Sequence, residues 1–227
     1  MLSKWAAISP YNPAQILIML RYLFYVLLVK PLVLVLLGIN ARGREHLPKS
    51  GPAIIVANHN SHLDTLALMA LFPWRVIGDV HPVAASDYFL KNKFLKWFSL
   101  HVIGIIPIDR HPAEKGASVL APLVHALRDN AIIILFPEGT RGEPENMGKL
   151  KNGIAHLVSS CPNTPVIPVF FHGLGKCLPK GEFLLVPFFI DAFIGEPLYW
   201  EGNRLGFMEK LVNKMNVLQH KARQSTG

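Results

Sequence analysis

The sequence predicts an α/β domain with a largely parallel central sheet flanked by helices, preceded by an N-terminal helical membrane anchor. Three observations support this fold class: short, continuous apolar runs recur along the chain, helix-like segments separate them, and a longer apolar segment comes first. Continuous apolar runs are typical of strands that are buried on both faces. Their alternation with helices is typical of a parallel sheet.

An apolar segment that extends from Ala14 to Gly38 predicts the anchor. Its two cations, Arg21 and Lys30, are nine residues apart, so they lie on opposite sides of a helix and cannot form one polar face. Pro31 follows Lys30 and is expected to kink or end the helix. We therefore predict a kinked or two-helix monotopic anchor whose cations extend toward lipid headgroups, with a buried core helix as the alternative.

The anchoring segment, residues 1–40, is followed by a single predicted α/β domain over residues 41–227. Apolar runs of six or seven residues predict its buried strands: AIIVAN from Ala53, IGIIPID from Ile103, AIIILF from Ala131 and PVIPVFF from Pro165. Helices are predicted between them: Leu63 to Leu71, Asp87 to Leu100, Glu114 to Asp129 and Leu150 to Ser160. The stretch from Phe183 adds one or two strands, and an apolar stripe around Leu211 predicts a closing helix.

The chain is basic, with 23 lysines and arginines against 15 acidic residues. A basic surface attracts nucleic acid, anionic lipid headgroups or phosphorylated substrates. The sequence contains no long basic tract and none of the motifs of nucleic-acid-binding modules. We therefore expect lipid or phosphate partners and no nucleic-acid partner.

Cys161 and Cys177 are the only cysteines in the sequence. Two cysteines are too few for a disulfide framework, and their spacing does not suit a zinc or redox site. The cysteine content therefore predicts a reducing location that faces the cytosol.

The segment SDYFLKNKFLKWFSL, which begins at Ser86, mixes aromatic side chains with three lysines. This composition suits a basic helix at a lipid interface. A core-packed helix with solvated lysines is the other interpretation, since a sheet that is covered on both sides also needs aromatic helix faces.

The densest polar cluster, NHNSHLD over residues 58–64, directly follows the strand predicted from Ala53. In open α/β folds ligands bind at the carboxyl ends of strands, so this cluster is well placed for a site. His59 and Asp64 come together if the chain turns from the strand into the first turn of a helix, and the carboxylate can then orient the imidazole. Such a pair can deprotonate a hydroxyl without a protein nucleophile.

Two other interpretations of this cluster stay open. Imidazole and carboxylate groups bind zinc or iron, which makes His59, His62 and Asp64 candidate ligands. Their spacing matches none of the familiar metal motifs, so no metal is expected. Alternatively, the cluster contains only loop and helix-capping residues, with Asn60 or Ser61 as an N-cap.

Two arginines follow predicted strands. Arg141 lies in FPEGTRG, residues 136–142, where glycines permit close backbone approach and the guanidinium offers a planar fork suited to phosphate. Arg110 ends GIIPIDR, residues 104–110. Two cations at strand ends beside a His-Asp pair favour a ligand that carries a phosphate. Surface salt bridges are the alternative role for each arginine.

Together these motifs resemble the glycerolipid acyltransferases, the family that includes 1-acyl-glycerol-3-phosphate acyltransferase. NHNSHLD resembles its first motif, a histidine and an aspartate separated by four residues, and GIIPIDR resembles its second. FPEGTRG resembles the third motif, and VIPV at residues 166–169 resembles the short fourth one. All four occur in the family's order over roughly residues 50 to 170. Pro107 departs from the second motif, because many members have an aromatic residue there.

The resemblance implies that residues 41–227 form an acyltransferase catalytic domain, with His59 as general base and Asp64 as its partner. The acceptor's phosphate and glycerol would be bound by five residues: Arg110, Glu138, Gly139, Thr140 and Arg141. Pro168 would help to shape the acyl-donor site. No cofactor and no metal are expected.

The implied reaction moves a fatty acyl group from acyl-CoA or acyl-ACP to the hydroxyl of a lysophospholipid. The expected acceptor is 1-acyl-glycerol-3-phosphate, which gives phosphatidic acid in phospholipid biosynthesis. Because both donors are cytosolic, we expect a membrane-associated enzyme whose active site faces the cytoplasm. The alternatives are another lysolipid acceptor, a metal-dependent membrane lipid hydrolase and a noncatalytic lipid-binding protein.

Overall fold

Seven strands of the described residues form one sheet at the centre of the protein, in the order first, seventh, sixth, second, fifth, third and fourth along the chain. The computed structural model describes residues 13–36, 38–61, 63–88, 92–109, 119–140, 142, 146–177 and 189–225. The strands are β1 (Ile39–Arg42), β2 (Ala53–Ala57), β3 (Val80–Ala85), β4 (Ile106–Ile108), β5 (Ile132–Leu135), β6 (Val166–His172) and β7 (Ile190–Ile194). Strands β4, β3, β5, β2 and β6 are parallel, whereas β7 runs antiparallel to β6 and β1 follows the direction of β7. The predicted α/β fold with a largely parallel sheet is confirmed.

Helices cover both faces of this sheet. They are α1 (Pro13–Phe24), α2 (Asp64–Leu71), α3 (Lys93–Phe98), α4 (Ala121–Arg128), α5 (Gly153–Ser160), α6 (Leu174–Cys177) and α7 (Arg204–Gln224). One core lies between the sheet, α2 and the N-terminal helix, and the other lies between the sheet and α4, α5 and α7. Strand β2 has all five residues buried, which explains why its sequence is apolar without alternation.

The N-terminal helix buries one side and exposes the other. Wider π-helical turns at Tyr25–Val29 and Leu32–Leu36 continue α1, so the helix is uninterrupted from Gln15 to Val35 and is long and apolar enough to cross a membrane. The predicted two-helix form of the anchor is therefore wrong. Four residues spaced four apart form the buried side: Arg21, Tyr25, Val29 and Val33. Most of the other side chains are apolar and exposed, including Leu27 at 69%.

Arg21 faces the interior of the protein, which corrects the prediction that it extends toward lipid headgroups. Its guanidinium is buried and donates to the carbonyl oxygens of Gly78, at 3.0 Å, and Val80. The first carbonyl lies in the helical turn before β3 and the second belongs to the first residue of β3. They act inside the domain as the polar partners that a lipid headgroup would otherwise provide. The hydroxyl of Tyr25 makes a similar bond to the carbonyl of Phe72. Side-chain hydrogen bonds therefore hold the helix to the rest of the domain in addition to its apolar packing.

Gly104 ends the helical turns after α3, and its backbone has φ of 78°, in the left-handed region. A Cβ at this position would lie 2.5 Å from the Arg21 guanidinium. We expect Gly104→Ala to lower the free energy of unfolding by about 2 kcal/mol or more, because it adds backbone strain and displaces a buried cation. Denaturant unfolding in detergent measures this, with Gly153→Ala as control, since nothing lies within 4 Å of that added methyl group.

Most predicted elements occur with shifted bounds. Strands β2, β5 and β6 confirm three of the apolar runs, but the run from Ile103 begins inside the helical turn Ser99–Ile103, and β4 starts at Ile106. Strands β1 and β3 had not been predicted. The helix expected from Glu114 begins, among described residues, with α4 at Ala121, and residues 110–118 and 178–188 lie outside the described part of the chain.

Candidate active site

The site is built where β2 ends at the carboxyl edge of the sheet. Asn58 follows β2 directly, and its buried side chain donates from Nδ2 to the carbonyl of Phe171 at 3.0 Å and accepts from the Phe171 amide at 2.8 Å. These two bonds fasten the end of β2 to β6. His59 comes next, and α2 begins five residues later at Asp64. His59 and Asp64 thus lie on either side of a single strand-to-helix turn.

His59 and Asp64 form a close pair, with 2.8 Å between Nδ1 and Oδ2. The same carboxylate oxygen accepts from the amides of Asn60 at 2.7 Å and Ser61 at 2.9 Å. Asp64 is 1% exposed, whereas the His59 side chain is 23% exposed. The carboxylate is therefore fixed inside the turn, and the imidazole reaches the surface. Because Nδ1 donates to a carboxylate, the tautomer places the basic lone pair on Nε2.

Glu138 braces the backbone of His59. One carboxylate oxygen accepts from the His59 amide and the other from the Gly148 amide, both at 2.9 Å. The carboxyl is 7% exposed, and this burial raises its pKa above the usual range even though both amide bonds lower it. Both of its oxygens are thus used to hold protein groups. This geometry favours a positioning role for Glu138 over direct contact with a ligand.

The segment after β5 also packs around the imidazole. The ring of Phe136 stacks on His59, with 4.3 Å between ring centroids, and the Gly142 amide donates to the His59 carbonyl at 2.8 Å. The FPEGTRG motif therefore contacts His59 at both its ring and its backbone carbonyl. A stacked apolar ring also shields one face of the imidazole from water.

Lys151, which the sequence analysis did not single out, lies against the FPEGTRG segment. Its amide donates to the carbonyl of Pro137 at 2.9 Å, and its ammonium lies over Gly139, where a Cβ would be 2.4 Å from Nζ. Gly139 has φ of 77° and no side chain to block this approach. Lys151 follows the end of the FPEGTRG motif by nine residues and precedes a helix, so in the sequence it resembles an ordinary exposed lysine.

The remaining predicted site residues are Thr140, Pro168, Arg110 and Arg141. Thr140 is exposed in the loop after β5. Pro168 is buried inside the sheet, where it pairs with Val56 and accepts a 2.8 Å bond from the Gly195 amide, so it is not at the strand end. The last residue of β4, Ile108, is three strands away from β2. His62, Arg110 and Arg141 lie outside the described part of the chain.

No three His, Cys, Asp or Glu side chains in the described ranges are close enough to share a metal ion. At the carboxyl end of β2 the described residues offer the His59–Asp64 pair, together with the amide donors around it.

Residues 38–172, more than half of the chain, match the family model described as Acyltransferase. The chain belongs to the acyltransferase family. Among curated relatives of this acyltransferase are a chloroplastic 1-acyl-sn-glycerol-3-phosphate acyltransferase of Brassica napus, 28% identical over 78% of this chain, and the alpha enzyme of that name from Homo sapiens, 30% identical over 58%. A Pseudomonas aeruginosa relative with the same activity in its name is 30% identical over 71% of this chain and 59% of its own.

The acyltransferase spans about half the length of the curated relatives that it matches, 51% of the Brassica napus protein and 44% of the human one. It also resembles the crystal structure of the 1-acyl-sn-glycerophosphate (LPA) acyltransferase PlsC from Thermotoga maritima. That match has a TM-score of 0.68 and covers 94% of this chain and 80% of the other at 18% identity. It supports the fold of the acyltransferase, including the helices around the sheet.

Proposed function

We propose that this acyltransferase moves a fatty acyl group from an acyl thioester, acyl-CoA or acyl-ACP, to the free hydroxyl of 1-acyl-glycerol-3-phosphate, which gives phosphatidic acid. The observation that carries the proposal is the 2.8 Å pair of His59 and a buried Asp64 at the carboxyl end of β2. The names of the relatives, all 1-acyl-sn-glycerol-3-phosphate acyltransferases, support the acceptor. Another lysolipid acceptor is the alternative.

In the proposed reaction His59 takes the proton of the acceptor hydroxyl on Nε2, and the hydroxyl oxygen bonds to the thioester carbonyl carbon. The carbon–sulfur bond breaks, and the leaving thiolate takes the proton from the imidazolium, so a free thiol and an ester are the products. Asp64 stabilises the imidazolium that forms between these two steps. No cofactor and no metal take part, and no residue of the chain becomes acylated.

Acyl transfer is tested by following free thiol release from a long-chain acyl-CoA in detergent, with and without 1-acyl-glycerol-3-phosphate, and by repeating the measurement with acyl-ACP. Release that depends on the acceptor and yields phosphatidic acid is the expected result. Release without acceptor that a chelator stops would replace the proposal with a metal-dependent hydrolase. No release with either donor would leave a noncatalytic lipid-binding protein.

For the acceptor phosphate we propose Arg110 and Arg141, together with Lys151. The arginines follow from the family resemblance, and Lys151 follows from its place over Gly139. A glycine backbone lets a phosphate approach closely, and an ammonium beside it supplies the opposite charge. Thr140 is exposed in the same loop and can add a hydroxyl donor.

We expect Lys151→Met to raise the KM for 1-acyl-glycerol-3-phosphate by about tenfold or more with a much smaller change in kcat, because a charge-assisted bond to the phosphate is lost. Initial rates measure this effect. Lys149→Met, an exposed neighbour, is the matched control and should leave KM unchanged. An equal loss with an acceptor that has no phosphate, such as a monoacylglycerol, would contradict this role.

We expect Glu138→Gln to lower kcat by about 10- to 100-fold, because glutamine has one acceptor oxygen for two backbone amides. The amide that faces its NH₂ group loses its partner, which costs about 1–3 kcal/mol, and the His59 backbone shifts. Initial rates and denaturant unfolding measure the two effects. Glu201→Gln, on a surface carboxylate that pairs with Lys210, should change neither. A normal kcat in Glu138→Gln would show that catalysis does not need both of these hydrogen bonds.

We also propose that the helix from Gln15 to Val35 associates the protein with a membrane through its exposed apolar side. Only 22% of the most apolar stretch of that helix is buried inside the protein. Burial of the remaining side chains in lipid removes apolar surface from water. Because both thioester donors are cytosolic, the active site is proposed to face the cytoplasm.

A further inference from the structure

The first turns of α3 are exposed although they are rich in large apolar side chains. Residues 92–97 are all exposed, and among them Phe94 is 71% exposed, Leu95 42% and Trp97 41%. Three large apolar side chains within four residues form an exposed patch, and such patches mark interaction surfaces. Packing against the described core therefore does not explain this part of the segment.

The charge on α3 suits a lipid surface. Lys93 and Lys96 are exposed on the same helix. At about 100° per residue, the two lysines fall within about 60° of each other, and Trp97 and then Phe94 follow around the helix. A helix with cations along one edge and aromatic rings beside them suits the headgroup region of an anionic bilayer. Asn92 caps the helix by accepting from the amides of Phe94 and Leu95, so the turn is formed at its exposed end.

This surface is continuous with the apolar side of the N-terminal helix. Phe98 packs edge-on against Phe24 of α1, with 5.1 Å between ring centroids. Phe94 in turn stacks on Phe98 at 6.2 Å. The same end of α1 contacts Trp74 through Tyr22, and Trp74 is 53% exposed. The exposed apolar side chains of three neighbouring segments therefore lie next to one another.

We propose that the start of α3 enters the headgroup region of an anionic membrane as a second lipid contact beside the N-terminal helix. The occupant is the bilayer surface, with Lys93 and Lys96 at the anionic headgroups and Phe94 and Trp97 at the boundary with the acyl chains. The inference rests on the proposed function only in that both need a lipid surface. It deepens that proposal by bringing the edge of the sheet that contains β3 and β4 to the membrane, where a lysophospholipid is found.

The test uses the fluorescence of Trp97 in the full chain. The sequence has four tryptophans, and replacing Trp5, Trp74 and Trp200 with phenylalanine leaves Trp97 as the only one. The protein is reconstituted into phosphatidylcholine–phosphatidylglycerol vesicles whose acyl chains are brominated. We expect Trp97 to lose most of its emission to the brominated lipid and to be shielded from aqueous iodide. A matched protein that keeps only Trp200, which contacts Phe207 on the opposite face of the sheet, should not respond to the brominated lipid.

The charge contribution is tested in the Trp97-only protein by the double change Lys93→Gln and Lys96→Gln. Each lysine near an anionic surface contributes about fivefold to binding, so quenching by brominated phosphatidylglycerol should fall clearly and high salt should have the same effect. Lys210→Gln with Lys214→Gln, on α7, is the control, because α7 covers the other face of the sheet. Equal quenching in both double variants would overturn the headgroup contact.

Trp97 that stays open to iodide in vesicle-bound protein would overturn the proposal. Shielding that requires added acyl carrier protein, an acidic partner, would overturn it in favour of a protein-docking surface. Thiol release is followed in the same samples. If the protein is active but Trp97 is not shielded, only this inference is contradicted. If the protein is inactive but Trp97 is shielded, only the proposed acyl transfer is contradicted.

Discussion

Replacing His59 with alanine is expected to lower kcat for acyl transfer by about 10³- to 10⁴-fold, because the hydroxyl then has no base at the carboxyl end of β2. Acceptor-dependent thiol release measures the loss. The fold should persist, since the imidazole is partly exposed and its main contacts are the stacked Phe136 ring and the Asp64 carboxylate. Thermal unfolding in detergent is therefore expected to change little.

The chain contains a matched control for this variant. His125 and Asp129 form a pair at 2.9 Å, almost the same distance as the pair in the site, but both side chains are mostly exposed on α4. His125→Ala should therefore leave thiol release unchanged. Comparable losses of thiol release in the two histidine variants would mean that the loss is not specific to the site. Undiminished release in His59→Ala would show that His59 is not the general base.

Asp64→Asn is expected to lower kcat by about 10³-fold with nearly unchanged KM values. Asparagine has the same shape, and its amide oxygen can accept the three bonds that Oδ2 now accepts from His59, Asn60 and Ser61. The substitution removes the negative charge that stabilises the imidazolium. It also places an NH₂ group where the buried Oδ1 has no hydrogen-bond partner among the described residues, so some loss of stability is expected beside the loss of kcat. Initial rates over a range of acceptor concentrations separate kcat from KM.

Asp129→Asn is the control, because it removes the carboxylate of the exposed pair. If Asp64→Asn raised KM and left kcat intact, Asp64 would act in shaping the binding site and not in catalysis. If it only destabilised the protein, the buried carboxylate would have a structural role.

The sequence predicted the strands best where they are buried on both faces. AIIVA and IIIL are apolar throughout, VIPVFFH is apolar up to His172, and each forms a central strand. The edge strand β1 has mixed burial, so its sequence does not stand out from loops. The other edge strand, β4, lies inside a predicted run but starts three residues after the start of that run. The pairing of His59 with Asp64 was also predictable, because the strand and the helix that flank them both have clear apolar patterns and leave only a short turn between them. Their catalytic roles stay predictions.

The parts of the site that were not predicted depend on long-range contacts. Glu138 is 79 residues from His59 in the sequence, and its bond to the His59 amide follows only from the neighbouring positions of β2 and β5 in the sheet. The motif had suggested contact with the acceptor. Arg21 was misjudged for a similar reason: its partners are the carbonyls of Gly78 and Val80, and backbone carbonyls leave no pattern in a sequence.

The buried side of the N-terminal helix has a consequence for how the enzyme can be handled. Tyr25, Val29 and Val33 are part of the same core as the central strands. Cutting off this helix to obtain a water-soluble enzyme would therefore open that core, and a foreign transmembrane helix could not replace it. Because the helix is packed rigidly on the sheet, the height and tilt of His59 relative to a bilayer would be set by the fold itself and not by a tether.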